Sequence, residues 1–256
     1  MSAHFDFVGK VAIVTGGTKG VGRVIAVRFL EAGAHVVVCG RNAPEAPVSG
    51  AGRAALFAAA DVRDPEQAKR VVDTALEAYG RLDVLVNNAG GSPPSDAASA
   101  SPRFAESIVR LNMLAPLYLS QAACLAMRRQ ETGGAIVNIA SVSAVRPSPG
   151  TAVYGAAKAG LVSLTRSLGQ EWAPQVRVNA IIAGMIKTEA ALDHYGGAEG
   201  LARIEAGLPQ GRMAVPDDIA NACLFLASDL AGHVTGAALE VHGGGEKPPF
   251  LGQAEG

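Results

Sequence analysis

The sequence predicts a doubly wound α/β domain on a seven-stranded parallel sheet, and three observations carry that prediction. Short β-branched runs alternate with segments of helical periodicity along the chain. The strand runs are apolar throughout instead of alternating with polar residues, as in strands covered on both faces. A glycine-rich turn joins the first strand to the first helix, the kind of connection that shapes ligand sites in open α/β sheets. The 256 residues fit one domain, and no linker, low-complexity tract or repeat with a period of roughly 20 to 50 residues divides them. We expect a single domain over 1–247 and a loose tail over 248–256.

The run VAIVTGG from Val11 is a strand closed by glycine, and 21–32 carries apolar positions at helical spacing. Residues 34–39 and 54–59 read as the second and third strands. Between them, Pro44, Pro47, Gly50 and Gly52 leave any helix short or broken. Asp64 is placed to cap a helix over 65–79, with Pro65 at its first position and Gly80 beyond its last turn. The fourth strand is 84–86, and a polar loop over 90–102 leads to one long helix over 104–129. A strand at 135–139, a helix at 151–172, a strand at 177–182, a helix at 216–226 and a strand at 237–241 complete the pattern. No periodicity remains from Glu246 onward.

Composition removes several function classes. With 49% hydrophobic and 18% charged residues, global disorder is excluded. The 22 Lys+Arg against 23 Asp+Glu provide no basic face for a nucleic-acid backbone, so no nucleic-acid partner is expected. Cys39, Cys124 and Cys223 form no CxxC pair and lie in apolar segments, as buried thiols in a reducing compartment do. Residues 1–10 lack an apolar signal core, and the longest uncharged apolar stretch, 111–127, has 17 residues interrupted by Asn112 and Pro116, short of the ~20 needed for a membrane span. A cytoplasmic protein with no membrane partner is the expectation. His4, His35, His194, His233 and His242 have no metal-ligand spacing, so no metal is expected.

Gly16, Gly20 and Gly22 in TGGTKGVG are spaced to make a tight turn, admit a pyrophosphate and let the helix pack on the sheet. The helix N-terminus would meet the phosphates. An NAD site usually places an acid about 20 residues further on, but here the second strand ends in Gly40-Arg41-Asn42 with no acid before Glu45. Arg41 could pair with a 2′-phosphate and Lys19 could add a second charge, which favours NADP(H), with NAD(H) as the alternative. Asp61-Val62 and Asn87-Asn88-Ala89-Gly90 follow the third and fourth strands at the ligand-facing edge. Tyr154 and Lys158 are four apart on one helix face, and Ser141 follows the fifth strand. An unperturbed Tyr is a poor base at neutral pH; lowering its pKa by about three units takes ~4 kcal/mol, which a neighbouring ammonium in a desolvated cleft can supply.

The ordered set TGGTKGVG, DV, NNAG, Asn112, Ser141 and YGAAK resembles the short-chain dehydrogenase/reductase family, in its single-domain Rossmann-type branch and its 3-oxoacyl-[acyl-carrier-protein] reductase-like members, from about Gly9 to Gly245. The resemblance implies that Gly16, Gly20 and Gly22 hold the pyrophosphate, that Thr18 and Val21 also bind the cofactor, and that Asp61 with Val62 contacts the adenine. Asn88, Ala89 and Gly90 would line the cofactor cleft, Gly184 and Ile186 would lie by the nicotinamide, and Thr188 would bind near the nicotinamide amide or the pyrophosphate. Tyr154 would exchange the proton, Lys158 would tune it and hold the nicotinamide ribose, Ser141 would polarise the carbonyl, and Asn112 would fix a water in a proton relay. The resemblance also implies a homotetramer, or a dimer, joined through the two long helices. Ala183-Gly184 replaces the family's Pro-Gly, and His242 replaces the Asp of a terminal Asp-Gly-Gly.

The chemistry expected is hydride transfer between the nicotinamide and a small-molecule carbonyl or secondary alcohol. A catalytically silent dinucleotide-sensing protein is the competing class. Substrate identity would rest on 91–102, 142–150 and 185–208, and Met185, Ile186, Ala190, Leu192 and Leu201 suggest a lipophilic ketone or 3-oxoacyl substrate under a mobile lid. His242-Gly243-Gly244-Gly245 resembles a hydrolase oxyanion loop, but no GxSxG elbow accompanies it.

Overall fold

In the first strand, β1 (Val11–Thr15), successive residues go to opposite faces. Val11 and Ile13 join one buried cluster, and Ala12 and Val14 join the other. The structure, a computed structural model, describes residues 5–188 and 196–246. After β1 come α1 (Gly20–Glu31), β2 (His35–Gly40), the short strands β3 (Ser49–Gly50) and β4 (Arg53–Ala54), and β5 (Leu56–Ala59). The chain continues with α2 (Pro65–Tyr79), β6 (Val84–Asn87), α3 (Pro102–Val109), α4 (Ala115–Met127), β7 (Gly134–Ser141) and α5 (Ala152–Glu171). It ends with β8 (Val176–Ala183), α6 (Gly197–Gly207), α7 (Pro216–Ala227) and β9 (Ala238–Val241).

The main sheet has seven strands in the order β5-β2-β1-β6-β7-β8-β9, and every pairing is parallel. One face is covered by α2, α4 and the end of α5 through Val71, Leu119, Met127 and Trp172. The other is covered by α1 and α7 through Ile25, Phe29, Ile219 and Cys223. Arg28 on α1 ties the latter two helices together by donating to Asp217 at 2.7 Å. This is the doubly wound, Rossmann-type arrangement.

Two stretches differ from the sequence expectation. Residues 41–53 form no helix; the chain makes a small antiparallel hairpin of β3 and β4, turning at Ala51 and Gly52, both at positive φ. Arg53 and Ala54 therefore belong to this hairpin, and the sheet strand begins at Leu56. The expected helix over 104–129 is a helical run from Pro102 to Met127, with a π turn at Arg110–Leu114 where the Ala115 N–H reaches back to Arg110 O. That run is long and apolar enough by composition to cross a membrane, yet Leu119, Ala123 and Met127 are buried beneath the sheet, as in a core helix. Cys39, Cys124 and Cys223 are free and buried.

Candidate active site

The chain adds β2 and β5 on one side of β1, then places β6 on the other. Such a reversal opens a crevice above the carboxyl ends of the strands. A cleft of about 980 Å³ lies there. Gly16, Thr18, Lys19, Gly20, Val21 and Gly22 line it, as do Arg41 after β2, Asp61 and Val62 after β5, Asn88, Ala89 and Gly90 after β6, and Thr188. Gly184 and Ile186 do not. Gly184 is pressed against His242, and Ile186 bridges to Ala214 while packing on the core.

The glycine-turn end of the cleft is shaped by close approach. A β-carbon on Gly22 would collide with Asn88 Nδ2 and Gly16 O, so only glycine lets the first turn of α1 lie this near the turn after β1. Among the described residues no side chain caps α1, leaving the N–H groups of its first turn toward the cleft. By contrast, Asp64 caps α2 by accepting from Glu66 N and Gln67 N. Thr15, which the sequence reading passed over, ties the two rims together: its Oγ1 accepts from Asn88 N and Ala89 N at 2.9 Å each, and its carbonyl accepts from Asn88 Nδ2 at 2.8 Å. Close backbone approach at Gly22 and an uncapped helix end are the features that an extended dinucleotide would need at its phosphates.

The catalytic candidates converge where β7 ends. Lys158 is 3% exposed, and its Nζ donates to Ile139 O at 2.7 Å, two residues before Ser141. Its ammonium lies 5.8 Å from the centre of the Tyr154 ring. Burial lowers the Lys158 pKa to about 8, and among the described residues no carboxylate pairs with it. The short turn Val142–Ala144 packs on α5, with Gly155 against Ser143 O. Ser141 Oγ accepts from Ser143 N at 3.2 Å, which leaves the Ser141 hydroxyl proton free to be donated elsewhere.

Asn112 lies in the π turn, fully buried. Its Nδ2 donates to Ile108 O at 3.0 Å and Gly91 O at 2.9 Å, while Oδ1 accepts from Gly91 N at 2.8 Å. The extra residue of such a turn re-aims a side chain, and here it clamps the loop after β6. A β-carbon on Gly90 would lie 2.8 Å from Asn112 Oδ1 and 3.1 Å from Lys158 Nζ, so the cleft floor passes directly over both. Behind it runs a buried amide chain invisible to sequence reading. Asn87 Nδ2 donates to Asn138 Oδ1 at 2.8 Å and to Ser120 Oγ at 3.0 Å, and Asn138 Nδ2 donates to Thr165 Oγ1 at 2.9 Å.

At the far end Arg41 and Lys19 are both exposed, and neither is in an ion pair among the described residues. Asp61 is held below the ordinary carboxylate range, chiefly by the Arg63 guanidinium. Arg63 and Glu45 also line the cleft; the sequence reading gave neither a role in binding.

On the substrate side, Leu201 is buried with Leu208 and Met213, and Met185 packs on them. Met185, Ile186 and Leu201 are thus engaged in packing, and Ala190 and Leu192 fall outside the described residues, as do His194 and Tyr195 of the expected lid. The run after β9 joins the surrounding segments. Gly243, Gly244 and Gly245 have φ of 67°, 92° and 79°, and Gly243 O accepts from Gln210 N at 3.3 Å. Arg146, in the loop after Ser141, grips Glu246 with two contacts of 2.6 Å.

A family model described as Enoyl-(Acyl carrier protein) reductase matches residues 16–246. The chain is 36% identical to the 3-oxoacyl-[acyl-carrier-protein] reductase of Chlamydia trachomatis, covering 93% of this chain and 97% of that protein. It is 35% identical to an L-rhamnose 1-dehydrogenase (NAD(P)(+)) of Azotobacter vinelandii, covering 93% and 96%. The ligand-free structure of Thermoplasma acidophilum aldohexose dehydrogenase superposes with a TM-score of 0.87 at 31% identity, covering 94% of this chain and 96% of that one. A cleft of about 980 Å³ at the switch point, a buried lysine beside a tyrosine, and likeness over almost the whole length lead to one assignment: the chain is an oxidoreductase of the short-chain dehydrogenase/reductase family.

Proposed function

We propose that this protein transfers hydride between NADP(H) and a carbonyl or secondary alcohol, with Tyr154 exchanging the proton and Ser141 donating to the substrate oxygen. The observation that carries the reading is Lys158, a buried cation held by one carbonyl and paired with no carboxylate among the described residues. Burying an ammonium this way costs stability, and such groups cluster at functional sites. When bound, the nicotinamide supplies or takes the hydride. Lys158 favours the phenolate of Tyr154 electrostatically. Ser141, already accepting from Ser143 N, directs its own proton to the charge developing on the substrate oxygen. Asn112 keeps the Gly91 loop in place above Lys158.

NADP(H) is favoured by two cations in the cleft, Arg41 and Lys19, that have no ion-pair partner among the described residues. Glu45, lining the same end, supports NAD(H) use as the second reading, since a carboxylate there suits a ribose hydroxyl. The relatives' names span sugars and acyl thioesters, so we take a lipophilic ketone or 3-oxoacyl thioester as the first substrates to assay. We further propose a cytoplasmic homotetramer joined through α4 and α5, where Leu125 is 63% exposed; light scattering showing a monomer at micromolar concentration would contradict the assembly.

The test is cofactor oxidation with NADPH and NADH over acyl, steroid, sugar-derived and small carbonyls, using wild type and Tyr154→Phe. We expect turnover that falls by at least about 100-fold in Tyr154→Phe. Tight NADPH binding with no turnover, unaltered by Tyr154→Phe, would mean a silent sensor.

A further inference from the structure

We propose that Arg63 is a third determinant of cofactor choice, paired with Asp61 in the free protein and passing its guanidinium to the 2′-phosphate when NADP(H) binds. The proposal rests on the NADP(H) reading above and adds a residue to which that reading gives no part.

Asp61 receives four contacts from Arg63. Nε approaches Oδ1 at 2.9 Å and Oδ2 at 3.1 Å, Nη2 donates to Oδ2 at 2.5 Å, and the backbone N–H donates to Oδ1 at 3.1 Å. Nε has one hydrogen, so three N–H groups face the about four lone-pair positions of the carboxylate, and an adenine amino group approaching Asp61 competes with the guanidinium fork for the remaining space. Sharing the carboxylate in this way weakens the hold on Arg63. A displaced guanidinium is stabilised best by another planar or tetrahedral oxyanion, and a phosphate monoester is such a partner.

Reach and charge favour the same exchange. Ala60 N donates to Gly40 O at 2.9 Å, so Arg41 and Asp61 leave adjacent strand ends, which lie about 4.8 Å apart in a sheet. Arg41 is close enough for its charge to act on the Asp61 carboxyl. Arg63 extends from the same strand end, lines the same cleft, and has a side chain 37% exposed, so it can swing without backbone movement. While Asp61 holds Arg63, Lys19 and Arg41 are the cleft-lining cations with no ion-pair partner among the described residues. Once the adenine takes Asp61, three cations face the position beside Arg41, and a dianionic phosphate is the group that would neutralise them.

The test measures binding, without turnover, of 2′,5′-ADP, 5′-ADP, NADPH and NADH by calorimetry to wild type, Arg63→Gln, Arg63→Lys and Arg41→Ala. Arg63→Gln should weaken 2′,5′-ADP and NADPH by about tenfold or more and leave 5′-ADP and NADH unchanged or slightly tighter, with Arg63→Lys in between. Equal weakening of phosphorylated and unphosphorylated ligands would make Arg63 only a brace for Asp61 and overturn the proposal. So would no change in any of them. A wild-type preference for NADPH that survives Arg63→Gln but is lost in Arg41→Ala removes this proposal alone; equal wild-type affinity for NADPH and NADH removes the NADP(H) reading with it.

Discussion

The two ends of the cleft handle positive charge in opposite ways. At the catalytic end one ammonium, Lys158, is 3% exposed and anchored by a single carbonyl. At the opposite end Lys19, Arg41 and Arg63 reach solvent, and Arg63 has a carboxylate partner. The first cation is expensive to bury and therefore strongly coupled to its neighbours; the others cost little and are screened by water and salt. The proposed proton chemistry needs the coupling, and the proposed recognition of a solvated phosphate would not.

Substituting one cation at each end separates these regimes, and Lys158 should respond most. In Lys158→Met, kcat/KM should fall about 1,000-fold, within the range for loss of an acid–base group, while the protein becomes more stable at pH 7. Below pH 8 the lysine is charged in both folded and unfolded chains, so the burial cost is present in full. Between about 8 and its ordinary 10.5 the folded chain gives up the proton first, and wild-type stability rises with pH. The gap from 10.5 to about 8 corresponds to about 3 kcal/mol. The advantage of Lys158→Met should therefore shrink as unfolding is measured from pH 7 toward 10.5, and a variant less stable than wild type at pH 7 would break the comparison.

The middle effect belongs to Arg41. Arg41→Ala should lower NADPH affinity about tenfold, or about 1.4 kcal/mol, with NADH affinity and melting temperature unmoved. Loss of both affinities together would show that Arg41 shapes the cleft instead of reading the phosphate. The smallest effect is that of salt. Raising ionic strength from about 0.05 to 0.5 M should weaken NADPH binding a few-fold but leave in place the upper pH limit of activity that loss of the Lys158 proton would set. A shift of that limit by salt would mean that Lys158 is more solvated than its burial indicates.

Much of this was legible in the residues. The helix α2 announces both its ends, with Asp64 capping, Pro65 in the first turn and Gly80 in the left-handed region. The strand ends that carry Thr15, Arg41, Asp61, Asn88 and Ser141 follow from β-branched runs stopped by polar or glycine residues. The hairpin of β3 and β4 escaped because strands of two residues carry no periodicity. The π turn around Asn112 adds one residue to a helix, too little to shift an apolar pattern. Asn87 was legible only as the first residue of the turn after the fourth strand, and its bond to Asn138 was not, since that partner comes from another strand. Met185 and Leu201 suggested a greasy substrate wall because sequence cannot tell an apolar side chain facing a ligand from one facing Met213. Arg63 escaped because an Arg two residues after an Asp resembles any surface pair.

The contacts made by 242–246 bear on how this enzyme could be redesigned. His242 abuts Gly184, Gly243 bonds to Gln210, and Glu246 grips Arg146, so the segments expected to choose the substrate share one short brace. Substitutions in 142–150 and in 196–210 should then be non-additive despite their separation in sequence. A library that randomises the two separately would discard combinations that work only together, and one that varies them jointly while keeping 242–246 intact would recover them.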